Sequence, residues 1–228
     1  MLIINPNICH NMLFGPPSII KCPNCSARFY KMVLLSGNIL GEKFYSDGKS
    51  IAPMVPDIPD LTKCYQCDNF FWIDSAEKIV TNDELNSAGN HNAQDRIEEV
   101  RFLTIDEYFE ALKCPLVKNK NLERFVRLKI WWAFNDTLRD IKSVPTSKLN
   151  DERWRSNLEF FICLLDPFDI NELIMIAEMH RNLGNFSKCL EIINYIDEDH
   201  VTWLKERFVE ECNKKNSIVF EVGQSIII

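Results

Sequence analysis

Over roughly the first third of the chain, apolar positions come in short runs broken by turn residues. Beyond residue 98 they recur at the three- and four-residue spacing of amphipathic helices. Lys43 to Tyr45 and Ser50 to Ala52 flank Ser46-Asp47-Gly48-Lys49, and an Asp-Gly step tolerates the positive backbone angles of a tight turn, so a β-hairpin is predicted there. Pro53, Pro56 and Pro59 favour an extended path onward, and Asn69-Phe70-Phe71-Trp72-Ile73 has the aromatic bulk of a strand. Residues 81–97 are polar and aperiodic and read as a linker. Thr104-Ile105-Asp106-Glu107 has the spacing of a capping box, opening a short helix that ends before Pro115. Leu122, Val126, Ile130, Phe134, Leu138 and Ile141 mark one face of a long helix, widened by Phe125, Leu128, Trp131 and Trp132. Trp154, Leu158, Phe161, Ile162 and Leu165 mark the next, which Asp166-Pro167 must end.

Asp169 to Glu172 opens another helix, Gly184 interrupts it, and Phe186, Cys189, Leu190 and Ile193 carry the face that follows. The run Ala177 to Glu191 resembles the turn and flanking helices of a tetratricopeptide (TPR) unit, with Ala177 as the small early residue, Gly184 at the turn, Phe186 as the aromatic and Cys189 where alanine is usual. Aligning Ala133 to Leu138 with Ala177 to Asn182 gives an offset of 44 residues and no glycine at the corresponding turn, so one unit is expected rather than an array. Val201, Leu204, Phe208 and Cys212 give a last helix, and Ser217 to Val222 an extended end.

Two thiol pairs change this picture most: Cys22-Pro23-Asn24-Cys25 and Cys64-Tyr65-Gln66-Cys67. A Cys-x-x-Cys step lets one tight turn aim two sulfurs at one metal, and two such turns complete a tetrahedral thiolate site with no position left for substrate. Cys22, Cys25, Cys64 and Cys67 are therefore expected to ligate a structural Zn2+ in a zinc ribbon, with the 38 residues between Cys25 and Cys64 as the ribbon's own elongated hairpin. The rival is a dithiol redox site at Cys22 and Cys25; that needs a helix amino terminus in a strand-helix-strand unit, and it leaves the second pair unexplained. Cys9, His10 and His91 have no partner at ligand spacing. His180 reads as a satisfied core histidine, and Cys114, Cys163, Cys189 and Cys212 as small buried hydrophobes.

The formal charge is -7, yet residues 1–80 hold seven basic and seven acidic groups, so the acidic excess lies beyond them. A ribbon that binds nucleic acid does so through a basic surplus, which this one lacks. Lys118, Lys120, Arg124, Arg127 and Lys129 form a basic run followed by Trp131 and Trp132, the one place a nucleic acid or acidic partner could dock. No Ser-His-Asp arrangement, phosphate-cradling glycine loop or His-Glu-x-x-His motif is present. No stretch nears the roughly 20 apolar residues of a membrane span. Met1 to Leu13 lacks the early basic residue of a secretory leader, and the nine cysteines suit a reducing cytoplasm.

The fold class expected is α+β: a small antiparallel zinc-ribbon-like domain over residues 1–80, the linker 81–97, and an all-α TPR-like helical-hairpin domain over 98–228. Through the two thiol pairs, Ser36-Gly37-Asn38, Tyr45 to Lys49 and Ala52-Pro53, the chain resembles uncharacterised bacterial proteins that join a zinc-ribbon-like module to a TPR-like helical region. That resemblance brings no activity with it. The function expected is non-enzymatic zinc binding with a helical surface for another protein. Nucleic-acid binding and thiol oxidoreduction are the alternatives.

Overall fold

Each thiol pair stands at the turn of a short β-hairpin in a computed structural model that describes residues 12–79, 97–139, 151–197 and 201–223. Strands β2 (Ser18–Lys21) and β3 (Arg28–Lys31) enclose Cys22 and Cys25, while β7 (Leu61–Lys63) and β8 (Phe70–Trp72) enclose Cys64 and Cys67. Antiparallel pairing puts Ile20 opposite Phe29 in the first hairpin and Thr62 opposite Phe71 in the second. β9 (Glu77–Ile79) pairs antiparallel with β2, and β10 (Glu98–Glu99) joins β3 in parallel, giving a sheet of order β10-β3-β2-β9. The small antiparallel sheets expected are present, and β10 adds one parallel edge to them. A separate ladder pairs β1 (Leu13–Phe14) with β4 (Leu34–Ser36). Gly37 follows at a close approach, where a Cβ would lie 2.2 Å from the Met54 carbonyl oxygen.

The chain divides into two units, Met1–Glu42 with Ile51–Leu103, and Lys43–Ser50 with Thr104–Ile228. The turn at Asp47-Gly48 forms as the sequence predicts, with Gly48 at φ 75° and β5 (Lys43–Phe44) paired to β6 (Ser50–Ile51). Its allegiance differs, because Lys43–Ser50 belongs with the helical unit rather than with the β-rich unit that holds the thiol pairs. The linker expected over 81–97 lies outside the described residues except for Ile97.

Six α-helices occur among the described residues: α1 (Ile105–Ala111), α2 (Lys120–Asp136), α3 (Glu152–Ile162), α4 (Ile170–Asn182), α5 (Phe186–Tyr195) and α6 (Thr202–Asn213). The first four of these helices start at local caps. Thr104 and Glu107 form the reciprocal capping box, and Asn119, Asp151 and Asp169 cap α2, α3 and α4 through side-chain oxygens. Gly184, at φ 81°, ends the α4 region, and the Asn185 amide donates to the His180 carbonyl across the turn. Val126, Ile130, Trp131, Trp154, Leu158, Phe161, Ala177, Cys189 and Phe208 build the apolar core of this unit.

A buried polar network runs through that core and explains the hairpin's place. Asp47 is completely buried; it accepts from Arg139 Nη2 at 2.6 Å and Asn135 Nδ2 at 2.7 Å, while its carbonyl accepts from Trp132 Nε1 at 3.0 Å. Ser46 Oγ donates to Glu178 Oε1 at 2.7 Å and accepts from the Phe220 amide at 3.1 Å. Glu178 and Arg181, both completely buried, form a two-pronged ion pair at 2.6 and 2.7 Å. Arg181 also donates to the carbonyls of Asn216 and Ile218, so the segment after α6 closes the network. Buried charges of this kind persist only when every one is paired and hydrogen-bonded.

Candidate metal centre

The two thiol turns are built alike. In the first, the Cys22 amide donates to the Ala27 carbonyl at 2.8 Å and the Ser26 amide to the Cys22 carbonyl at 2.9 Å; in the second, Cys64 donates to Asn69 at 2.9 Å and Asp68 to Cys64 at 3.0 Å. Ser26 and Asp68, which follow the second cysteine of each pair, take the left-handed backbone at φ 62° and 57°. Non-glycine residues visit that region at a cost, and here it turns the chain so that both sulfurs of a pair face one point. The correspondence extends along the strands: Lys21-Cys22 matches Lys63-Cys64, Phe29-Tyr30 matches Phe71-Trp72, and every match is 42 residues apart. The signal stands in the sequence as a repeated Lys-Cys-x-x-Cys-x-x-x-Phe-aromatic pattern, of which the thiol pairs are only a part.

The turns meet with their sulfurs interleaved. Cys22 Sγ lies 3.8 Å from Cys67 Sγ, Cys25 Sγ lies 3.6 Å from Cys64 Sγ, and all four sulfurs fall within 4.8 Å of one another. A regular tetrahedron of metal–sulfur bonds of about 2.3 Å has edges of about 3.8 Å, which the two cross-pair distances match, so the four sulfurs are grouped closely enough to hold one metal ion. Cys22 and Cys64 are buried against Ile20, Ala27, Phe29, Phe71, Ile73 and Ala76, while Cys25 and Cys67 are half-buried. Phe29 anchors this layer, with ring contacts to Tyr65 at 5.1 Å and Phe71 at 5.4 Å.

Polar donors complete the surroundings. The Gln66 amide points at Cys64 Sγ and Asn69 Nδ2 at Cys67 Sγ, each at 3.4 Å. Burial pushes the Cys64 thiol up to about 12 and raises Cys25 as well. At Cys67 burial works in the same direction, but donors from the Asn69 backbone and side chain outweigh it and bring the thiol to about 7. Burial thus favours the protonated thiol at Cys25 and Cys64, while the Asn69 donors favour the thiolate at Cys67. A bound metal would replace the protons and satisfy all four.

The other candidate residues do not gather into a site. Arg124 pairs with Glu172; Arg127 pairs with Glu123 at 2.7 Å and stacks over Phe160 at 5.0 Å; Lys129 lies over Phe125 and Trp132. Lys118 and Lys120 are exposed at the start of α2. His180 is half-buried, and its Nδ1 has no hydrogen-bond partner, so it is not the satisfied core histidine expected; burial lowers its pKa, with Lys188 adding to the effect. Of the helical cysteines, Cys189 and Cys212 are buried as expected, whereas Cys114 is half-buried and Cys163 exposed, because both lie at helix ends rather than on a packed face. Cys9, His10 and His91 lie outside the described residues. Among the described residues no helix is long and apolar enough to cross a membrane. Comparison with protein-family models, with curated proteins and with solved structures finds no match.

Proposed function

We propose that this chain is a non-enzymatic, cytoplasmic zinc-binding protein in which a structural four-cysteine centre holds a ribbon-like β unit, coupled to a TPR-like helical unit that binds another protein. The observation that carries the reading is the convergence of the Cys22, Cys25, Cys64 and Cys67 sulfurs within 4.8 Å of one another, with cross-pair distances of 3.6 and 3.8 Å. Four soft ligands at these distances suit zinc, and a metal saturated by four thiolates keeps no open position for a substrate or an activated water. The helical part of the reading is supported by α4 and α5 around Gly184, with Ala177 and Cys189 both fully buried where the paired helices need small side chains.

The test is the metal content of protein purified under reducing conditions without added metal, with a count of reactive thiols before and after chelation. About one zinc per chain, and about four further thiols on chelation, is the expected result. Because the Cys25 and Cys64 thiols are raised, zinc must displace their protons. Binding should release protons into weakly buffered solution, and apparent affinity should climb as pH rises from about 6 to 8. Folded, metal-free protein with a reversible Cys22–Cys25 disulfide would overturn the proposal in favour of redox chemistry.

A further inference from the structure

The β-rich unit carries an apolar groove of about 550 Å³ that the metal centre does not use. Phe14, Tyr30, Met32, Ile58, Val100 and Phe102 line it, with Asp57 and Glu99 as its acidic residues and no Lys or Arg. Three of these large side chains are held far from buried, with Phe14 at 42%, Met32 at 45% and Phe102 at 45% exposed. Leu13 and Leu35, on the adjoining β1–β4 ladder, are exposed as well. A chain that can bury apolar surface leaves such a convergence open where something else covers it. Of the cations beside it, Lys31 is drawn to Asp74 at 2.7 Å and Arg101 donates to the Phe102 carbonyl at 3.1 Å, so the charged side chains of the lining itself are carboxylates.

We propose that this groove docks an extended segment of a partner protein in which aliphatic side chains alternate with Lys or Arg. The apolar walls supply the burial, and the Glu99 carboxylate at the rim selects a cation over an anion. An extended segment suits the site because β10, which contributes Glu99, is an edge strand of its sheet, and among the described residues no strand pairs with its outer side. The proposal goes beyond the zinc reading by assigning a docking site to the β unit itself.

The test is calorimetric titration of the full, metal-loaded chain with a capped heptapeptide of alternating Leu and Lys, and with its Leu and Glu counterpart, at low and moderate salt. Saturable one-to-one binding of the Leu-Lys peptide is expected, about tenfold or more tighter than the Leu-Glu peptide and weaker as salt rises. The double variant Met32→Ser, Phe102→Ser should lose at least tenfold, and Glu99→Gln about threefold. Zinc content measured on each sample separates loss of the groove from loss of the metal centre. Absence of saturation, equal binding of both peptides, or undiminished binding by the double variant would overturn the proposal, the last by showing attraction to net charge alone. Concentration-dependent dimerisation that the double variant abolishes would overturn it too, giving the groove to a second copy of the chain.

Discussion

At the level of single residues, the four-cysteine cluster is supported by side chains that carry no sulfur. Asn69 is the plainest, since its side-chain amide donates to Cys67 Sγ and its carbonyl receives the Cys64 amide, linking a ligand from each end of one turn. Donors to ligand sulfurs tune affinity because they share the negative charge the metal must otherwise balance alone. Replacing Asn69 by Ala should therefore lower zinc affinity about tenfold in a competition with a chromophoric chelator. Asn69→Asp should do no better, for its side chain has no N–H to offer and adds a like charge beside the thiolates. Unchanged affinity in both variants would remove Asn69 from the site. The left-handed Ser26 and Asp68 belong to the same residue-level logic: neither is a ligand, yet each sets the direction in which its pair of sulfurs faces.

Among the elements, the β5–β6 hairpin departs most from the sequence reading. Its turn chemistry is legible in Asp47-Gly48, and so is its place between the two thiol pairs. Its destination is not, because that is set by partners far along the chain: Asn135 and Arg139 for Asp47, Glu178 and Phe220 for Ser46. The Arg139 guanidinium is only 3% exposed and bonds both oxygens of Asp47, so Asp47→Ala would leave that buried cation with the more exposed Asp136 as its remaining carboxylate. The expected cost is about 3 to 5 kcal/mol, read as a fall in the denaturation midpoint of the helical signal. Asp47→Asn, which keeps the size and one acceptor, should cost less. A loss below about 1 kcal/mol for Asp47→Ala would mean that the hairpin is a passenger on the helices. Helix boundaries tell the opposite story. Thr104, Asn119, Asp151, Asp169 and Gly184 act through neighbours a few residues away, and each cap and stop lies where local chemistry puts it.

For the molecule entire, the unit boundaries do not follow the linear order of the chain. The helical unit takes Lys43–Ser50 from within the segment that joins Cys25 to Cys64. A fragment beginning at Thr104 would lack Ser46 and Asp47, leaving Arg139 without its buried partner and Glu178 short of one of its donors. Such a fragment should fail to give a cooperative helical transition on heating. The same fragment with residues 43–50 joined through a flexible linker at its amino terminus should recover one, as followed by circular dichroism. Equal cooperativity with and without the hairpin would show that the helices close their own core.

The chemistry of the two thiol pairs, the α+β class, the hairpin turn, and most helix starts and stops can all be read from the order of residues. Each rests on groups close together in the chain, where spacing alone decides what can meet. Folding in three dimensions chose which sulfurs became neighbours, with Cys22 beside Cys67 and Cys25 beside Cys64. It also chose that β10 joins β3 in parallel, and that the hairpin between the thiol pairs is buried among helices. One cause underlies the hairpin's placement above all. A buried charge such as Asp47 or Glu178 is tolerable only with its counter-charge in place, and Arg139, 92 residues from Asp47, is recognisable as that partner only when the chain is folded.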